Sequence, residues 1–568
     1  MTRWPRVVAA GLAFGLAAYA LTREAPRVLS APPEPPFRFV DVAAKAGLTR
    51  VLLSGRPDKD HLLDSSGGGV AFLDYDKDGR LDVYLVNGWR LQDGRVVERG
   101  RNALYRGLAD GTFRDVTDEA GVGGEGQWGQ GVAVADYDGD GWPDILVTNF
   151  GRNVLYRNLG NGRFENVAAR VGVESPGWNT GAAFFDADGD GDLDLYIASY
   201  IDCTLESVLD AKRTLSWRGL ENVAVGPFGL KGAPDHFFRN VGGRFVDATA
   251  EAGLVDKGLG FGFGVRAADF DGDGRPDLYV ANDSDPNYLY RNEGKGMFKE
   301  VGTWAGAALD ENGAAQASMG IAVGDVDGDG ILDLFTTNFS EDFSTLYRGV
   351  GDGLFEDVSK ASGVGPATYR PLSWGTAFAD LDNDGDLDLV VANGHIYPQL
   401  DRHPELIGAY AQRNLLLENR SKPGAPAFAD VTAEAGPGFQ QLRSSRGLAV
   451  GDFDNDGRLD LLISALDEPP VLLRNEGPAG AWITVVLEGK HGEPDPIGAT
   501  VTLRAGGTSQ SRDVAAGDSF LSTHDPRPHF GLGAARVVDE IDVRWPDGTH
   551  SVRRRVPAGQ FLKIRYGS

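Results

Sequence analysis

Twenty-eight aspartates of this chain fall into seven groups with one spacing, Asp-x-Asp-x-Asp-Gly-x-x-Asp. The groups are Asp74, Asp76, Asp78 and Asp82; Asp136, Asp138, Asp140 and Asp144; Asp186, Asp188, Asp190 and Asp194; Asp269, Asp271, Asp273 and Asp277; Asp325, Asp327, Asp329 and Asp333; Asp380, Asp382, Asp384 and Asp388; and Asp452, Asp454, Asp456 and Asp460. Four carboxylates within nine residues repel one another unless a cation sits among them. Oxygen ligands in alternation with a sharp glycine turn at the sixth position suit Ca²⁺, and seven copies allow up to seven ions. An EF-hand is excluded, because it needs flanking helices and a bidentate Glu at position 12, where the second group has Val147 inside a β-run.

Each group must sit between two strands. An apolar run enters it and a second leaves it, as in Ile145-Leu-Val-Thr-Asn149. A third run of the type Asn153-Val-Leu-Tyr-Arg-Asn158 follows, then Phe-x-Asp-Val or a near relative (Phe113, Phe164, Phe245, Phe298, Phe355, Phe428). Seven four-stranded units predict an all-β fold, a seven-bladed β-propeller with calcium loops over residues 37–480. An extra Phe-x-Asp-Val at Phe39 precedes the first unit, and the seventh unit lacks one, so the N-terminal strand is expected to complete blade seven. Five residues before each first aspartate stands a glycine (Gly69, Gly131, Gly181, Gly264, Gly320, Gly375, Gly447), read as a packing device where the ring narrows. Three before it stands alanine in six units and Arg266 in the other, the fourth.

Residues 481–568 alternate apolar and polar positions between Gly and Pro turns, predicting a small β-sandwich-like domain. The Asp-Gly-Asp-Gly loops with Leu-Tyr-Arg-Asn strands resemble the FG-GAP/VCBS repeats of integrin-type propellers. Ile497-Gly-Ala-Thr-Val-Thr-Leu503, Asp525-Pro-Arg-Pro-His-Phe-Gly-Leu-Gly533 and Val543-Arg-Trp-Pro-Asp-Gly548 resemble the ASPIC/UnbV domain. The pairing is similar to that of the cartilage-acidic-protein family, over about residues 39–566. That resemblance implies extracellular, calcium-binding, adhesion- or interaction-type proteins without established catalytic chemistry.

Net charge is −27, most of it in the seven groups, and seven divalent ions would bring it to about −13. No basic stripe exists to meet phosphates, which argues against nucleic-acid partners. Residues 1–24 read as a signal peptide or an uncleaved signal anchor: Arg3 and Arg6, then an apolar run from Val7 to Leu21 with Ala18-Tyr-Ala20 as a cleavage site. Residues 25–36 form a Pro-rich linker. The expected location is extracytoplasmic, secreted or periplasmic, with membrane contact only through that N-terminal segment. Cys203 is the only cysteine, so no intrachain disulfide forms and calcium becomes the obvious staple.

Repeat spacings of 62, 50, 83, 56, 55 and 72 residues place insertions near Tyr200–Ala233 and His395–Arg413, on the face opposite the calcium loops. With Trp128, Trp178, Trp374, Asn338, Asn393, His395 and Tyr397, they predict a partner site at that mouth, for a glycan or an extracellular or cell-envelope protein. The rival use of these amides and aromatics is to cap strand ends and seal blade seams. Searches for hydrolase, zincin and phosphate-loop motifs identify no catalytic residues. The alternative function is a polysaccharide-active hydrolase or lyase at the same mouth.

Position 7 of the loops varies freely (Arg80, Trp142, Asp192, Arg275, Ile331, Asp386, Arg458), as expected if it offers only a backbone carbonyl. Asp138→Ala or Asp327→Ala should therefore remove one bound calcium and about 1 kcal/mol of stability, a floor set by roughly fivefold saturation. Arg275→Ala should remove no ion. Metal analysis and melting curves check this, and equal damage from both kinds of change would contradict the ligand pattern.

Overall fold

The computed structural model describes residues 36–568 apart from 125, 213, 214, 225, 256–259, 404, 407 and 479. The expected export segment and all but the last residue of the linker lie outside the described residues. Described strands run from Phe39–Asp41 to Gln560–Arg565, and the helices are short turns of four or five residues. No helix among the described residues is long and apolar enough to cross a membrane.

Seven four-stranded antiparallel sheets occupy residues 39–475. The inner strands are Val70–Leu73, Trp128–Ala135, Asn179–Phe185, Gly262–Ala268, Ile321–Gly324, Ser373–Ala379 and Ser445–Gly451. The seventh sheet is completed by the N-terminal strand, with Phe39 opposite Asn475 and Asp41 opposite Leu473, as expected from the extra Phe-x-Asp-Val.

Ring closure is written in the seven glycines. A Cβ on Gly131 would lie 2.9 Å from Thr180 O, and one on Gly181 2.2 Å from Phe263 O. The series continues around the ring through Gly264, Gly320 and Gly375, and Gly447 closes it at 2.6 Å from Gly68 O. Real Cβ contacts are not that short, so each inner strand reaches its neighbour only because the side chain is missing.

The C-terminal region forms a three-stranded sheet, in which Ala481–Glu488 pairs in parallel with Gln560–Arg565, and a four-stranded sheet of Thr508–Asp513, Thr500–Ala505, Val537–Arg544 and His550–Pro557. Ile483, Val501, Leu503, Phe530, Ile541, Val543 and Trp545 fill its core.

From this domain the segment 514–525 runs down the centre of the ring. It answers the unpaired inner-strand edges, which would otherwise leave backbone donors and acceptors unsatisfied. Thr523 donates to Val70 O (3.0 Å), and Val132 N donates to Leu521 O (3.0 Å). Phe184 N donates to Ala516 O (3.3 Å), and Ile321 and Ser519 exchange two backbone bonds of 3.0 Å. Thr376 N donates to Ser519 Oγ (2.9 Å) and Val450 N to His524 Nδ1 (3.2 Å). The remaining blade supplies Arg266, whose guanidinium meets Asp513 at 2.5 Å and Asp518 at 2.9 Å. The one break in the alanine column is therefore the residue that grips the plug.

Arg266 is 3% exposed. Arg266→Ala would strand two carboxylates and should cost about 3 kcal/mol in denaturant unfolding, in the range for one lost partner of a buried ion pair. An unchanged unfolding midpoint would show that the plug is not held by this pair.

Candidate metal centres and the closed mouth

In every loop the same hydrogen bonds shape the carboxylates. The first aspartate accepts from the N–H of the sixth residue, a glycine, at 2.8–3.1 Å. The last accepts on one oxygen from the loop's second residue and on the other from the third strand, at 2.7–3.2 Å. The fourth residue is left-handed throughout, and it is glycine in four loops, Lys77, Asn383 or Asn455 in the others.

These bonds aim oxygens inward. In four loops atoms from the first, third and ninth positions lie within 4.8 Å of one another: Asp74, Asp76 and Asp82; Asp136, Asp138 and Asp144; Asp186, Asp188 and Asp194; and Asp325, Asp327 and Asp333. Asp269, Asp271 and Asp273 do the same in the fourth loop. Each of the seven loops also buries one carboxylate oxygen without a hydrogen-bond partner: on Asp76, Asp138, Asp188, Asp269, Asp327, Asp380 and Asp454. A buried carboxylate oxygen left unpaired is costly, so these donor sets fit a hard cation. The fifth-position aspartates are half-buried at Asp78 and Asp456 and exposed at Asp140, Asp190, Asp273, Asp329 and Asp384.

Burial pushes Asp74 up to about 6 and Asp136, Asp194, Asp277, Asp333, Asp380 and Asp452 up to about 7, with neighbouring carboxylates adding to the shift. Arg106 offsets part of the charge in the first loop, 2.6 Å from Asp76 and 3.0 Å from Asp78. Arg157 does so in the second, against Asp138 and, at 2.6 Å, Asp140.

The asparagine closing the third strand is a functional residue that sequence reasoning did not single out. Asn158, Asn240, Asn292, Asn419 and Asn475 each donate to the second-position carbonyl of the preceding loop, at 2.7–2.9 Å. Its signal was the recurring Arg-Asn after the apolar triplet. Four successive loops, the sixth, seventh, first and second, are joined directly as well. Asn383 donates to Gly457 O (2.8 Å), Asn455 to Gly79 O (3.0 Å) and Lys77 to Gly141 O.

The opposite mouth differs from expectation. Trp128, Trp178, Asn338, Trp374, Asn393, His395 and Tyr397 are all buried, none more than 5% exposed. They form no open partner surface. Asn338 donates to Phe343 O (2.6 Å), and Asn393 donates to Arg413 O (2.8 Å), which caps strand ends. Trp128 packs on Trp89, Trp178 on Tyr200, and Trp374 on Phe520 of the plug. The two insertions close on each other: Trp217 of the first meets His395 and Tyr397 of the second, at ring separations of 5.3 and 5.7 Å. A hairpin of Trp89–Gln92 and Arg95–Arg99, missed in the repeat spacings, and the turn Leu62–Ser65 complete the cover. Long apolar side chains on facing loops bury one another before they bind anything else.

Residues 489–568 match the family described as ASPIC and UnbV, and 74–147, 136–197, 269–336 and 325–391 match the FG-GAP-like repeat. The chain is 26% identical to cartilage acidic protein 1 of Xenopus tropicalis over 515 residues, 84% of this chain and 70% of that protein. For the Homo sapiens protein of that name the identity is 26% over 546 residues, 89% and 73%. Among solved structures, an Agrocybe aegerita lectin described for recognition of non-reducing terminal N-acetylglucosamine overlays at TM-score 0.37 and 18% identity, over 65% of this chain and 83% of its own. YCF48 bound to D1 peptide overlays at TM-score 0.39 and 9% identity, over 78% and 96%. Neither overlay is close enough to bear on function.

The raised carboxylates set a pH dependence. Unfolded aspartates titrate near about 3.9, so groups folded at about 6 to 7 contribute stability at low pH that is lost as pH rises through that range. Chelated protein should melt higher at about pH 5.5 than at about pH 8, whereas calcium, which favours the ionised form, should reverse the trend. Identical chelated melting at both pH values would contradict the burial of these groups.

Proposed function

We propose that this propeller of FG-GAP-like repeats with its ASPIC and UnbV domain is a calcium-binding module that works outside the cytoplasm and holds a protein or glycan partner. The observation that carries the calcium reading is the buried, partnerless carboxylate oxygen that recurs once in every loop. Asp74, Asp76 and Asp82, and their equivalents in the other loops, would hold the ion, which supplies the charge that lets these oxygens stay ionised in a low-dielectric site. The resemblance to cartilage acidic protein 1 and the absence of an identified catalytic motif favour binding over turnover.

With the mouth filled by its own insertions, the partner is better placed on the calcium face. A cleft of about 850 Å³ opens there between loops 1–3 and the C-terminal domain. Asp136, Asp190 and Lys77 line one wall, and Lys490, His491 and Tyr566 the other. A cleft between domains with aromatic and charged groups of both signs suits a polar partner.

The test is binding to glycan arrays and to extracytoplasmic proteins with calcium present and then chelated. Binding that disappears on chelation and drops at least tenfold in a Lys490→Ala, Tyr566→Ala double variant supports the reading. Chemical change of a captured glycan would favour the hydrolase or lyase alternative instead.

A further inference from the structure

The C-terminal domain does not cover the seven loops equally. Asp380 and Asp452, the first aspartates of loops 6 and 7, are each 1% exposed, whereas the first aspartates of the other five loops are half-buried. We infer that this domain is a lid over loops 6 and 7, so that calcium held there leaves only when the domain lifts. The inference rests on the calcium reading above.

Backbone of the domain touches the metal-facing groups themselves. Gly531 N donates to Asp380 Oδ2 at 2.9 Å, and a Cβ on Gly531 would lie 2.1 Å from that oxygen. The other oxygen of Asp380 is buried without a partner. Gly533 N donates to Asn383 O at 2.8 Å. His529 bridges the two bodies, with Nε2 2.7 Å from Asn383 Oδ1 and Nδ1 2.8 Å from Thr484 Oγ1. Because the Asn383 amide donates to Gly457 O, its Oδ1 must accept, so His529 carries its proton on Nε2.

Loop 7 is sealed by side chains. The Trp482 indole lies so close to Gly457 that a Cβ there would fall 1.9 Å from it. Arg527 donates to Asp452 O and Asn455 Oδ1, each at 3.5 Å. Lifting the domain also means drawing residues 514–525 out of the channel, with the Arg266 ion pairs broken. Ions under this cover exchange only through a sub-global opening, and the exchange rate falls exponentially with the opening free energy.

The experiment loads the full chain with radiolabelled calcium, dilutes it into excess unlabelled calcium and follows retained label. Two of the bound ions should leave at least about tenfold more slowly than the rest, a factor of ten corresponding to about 1.4 kcal/mol of opening. Asp382→Ala and Asp454→Ala should each delete one slow ion, and Asp138→Ala should leave both. Trp482→Ala and His529→Ala should merge the slow phase with the fast one. A single fast phase in the unmodified protein, or slow ions that persist in Asp382→Ala and Asp454→Ala, would overturn the lid. Protein that binds no calcium at all would instead overturn the calcium reading.

Discussion

The fold turns on carboxylate repulsion at the tip of every blade. Each loop crowds four aspartates on nine residues, and two like charges about 4 Å apart cost about 4 kcal/mol at an effective dielectric near 20. Backbone N–H groups take both oxygens of the last aspartate and shape the loop, yet one buried oxygen per loop has nothing to bind. Protons can neutralise such groups at the expense of order, arginines such as Arg106 meet one oxygen of Asp76 and leave the other unpaired, and a divalent ion satisfies them directly. Because Asn158 and its equivalents tie five of the seven third strands to the neighbouring loop, neutralising one of those loops also steadies the next seam.

The second constraint is closure. A ring of seven sheets leaves its inner edges facing a central channel, and a channel of unpaired backbone is unfavourable. Here the edges are answered by the chain itself, through a segment of the C-terminal domain that touches all seven inner strands, with Arg266 paired to Asp513 and Asp518. The domain thus serves the propeller's interior as well as covering part of its carboxylate-loop face. The opposite end is filled by the insertions around Trp217 and Tyr397. Both ends of the channel are occupied by the chain's own side chains.

What was legible in the sequence is what repeats. The seven aspartate groups, the seven glycines and the spare Phe-x-Asp-Val at Phe39 recur at matching positions, so strand order and closure followed from spacing. What was not legible is what occurs once. Residues 514–525 have no period, and their partners in the ring lie from 74 to about 450 residues upstream, so no local pattern marks them as a plug. Arg266 was visible as a break in the alanine column, but its meaning required knowing what fills the channel. The mouth residues were misplaced for the same reason: aromatics such as Trp178 and Trp374 look like a binding surface until the loops that bury them are folded over them.

Whether the carboxylate loops hold calcium on which the propeller depends is read by native mass spectrometry of the full chain during calcium titration, with melting followed in parallel. Several calcium ions should bind per chain, up to seven, with melting temperature rising as each is taken up. A protein that binds no calcium at millimolar concentrations, and melts at the same temperature with and without chelator, would contradict it.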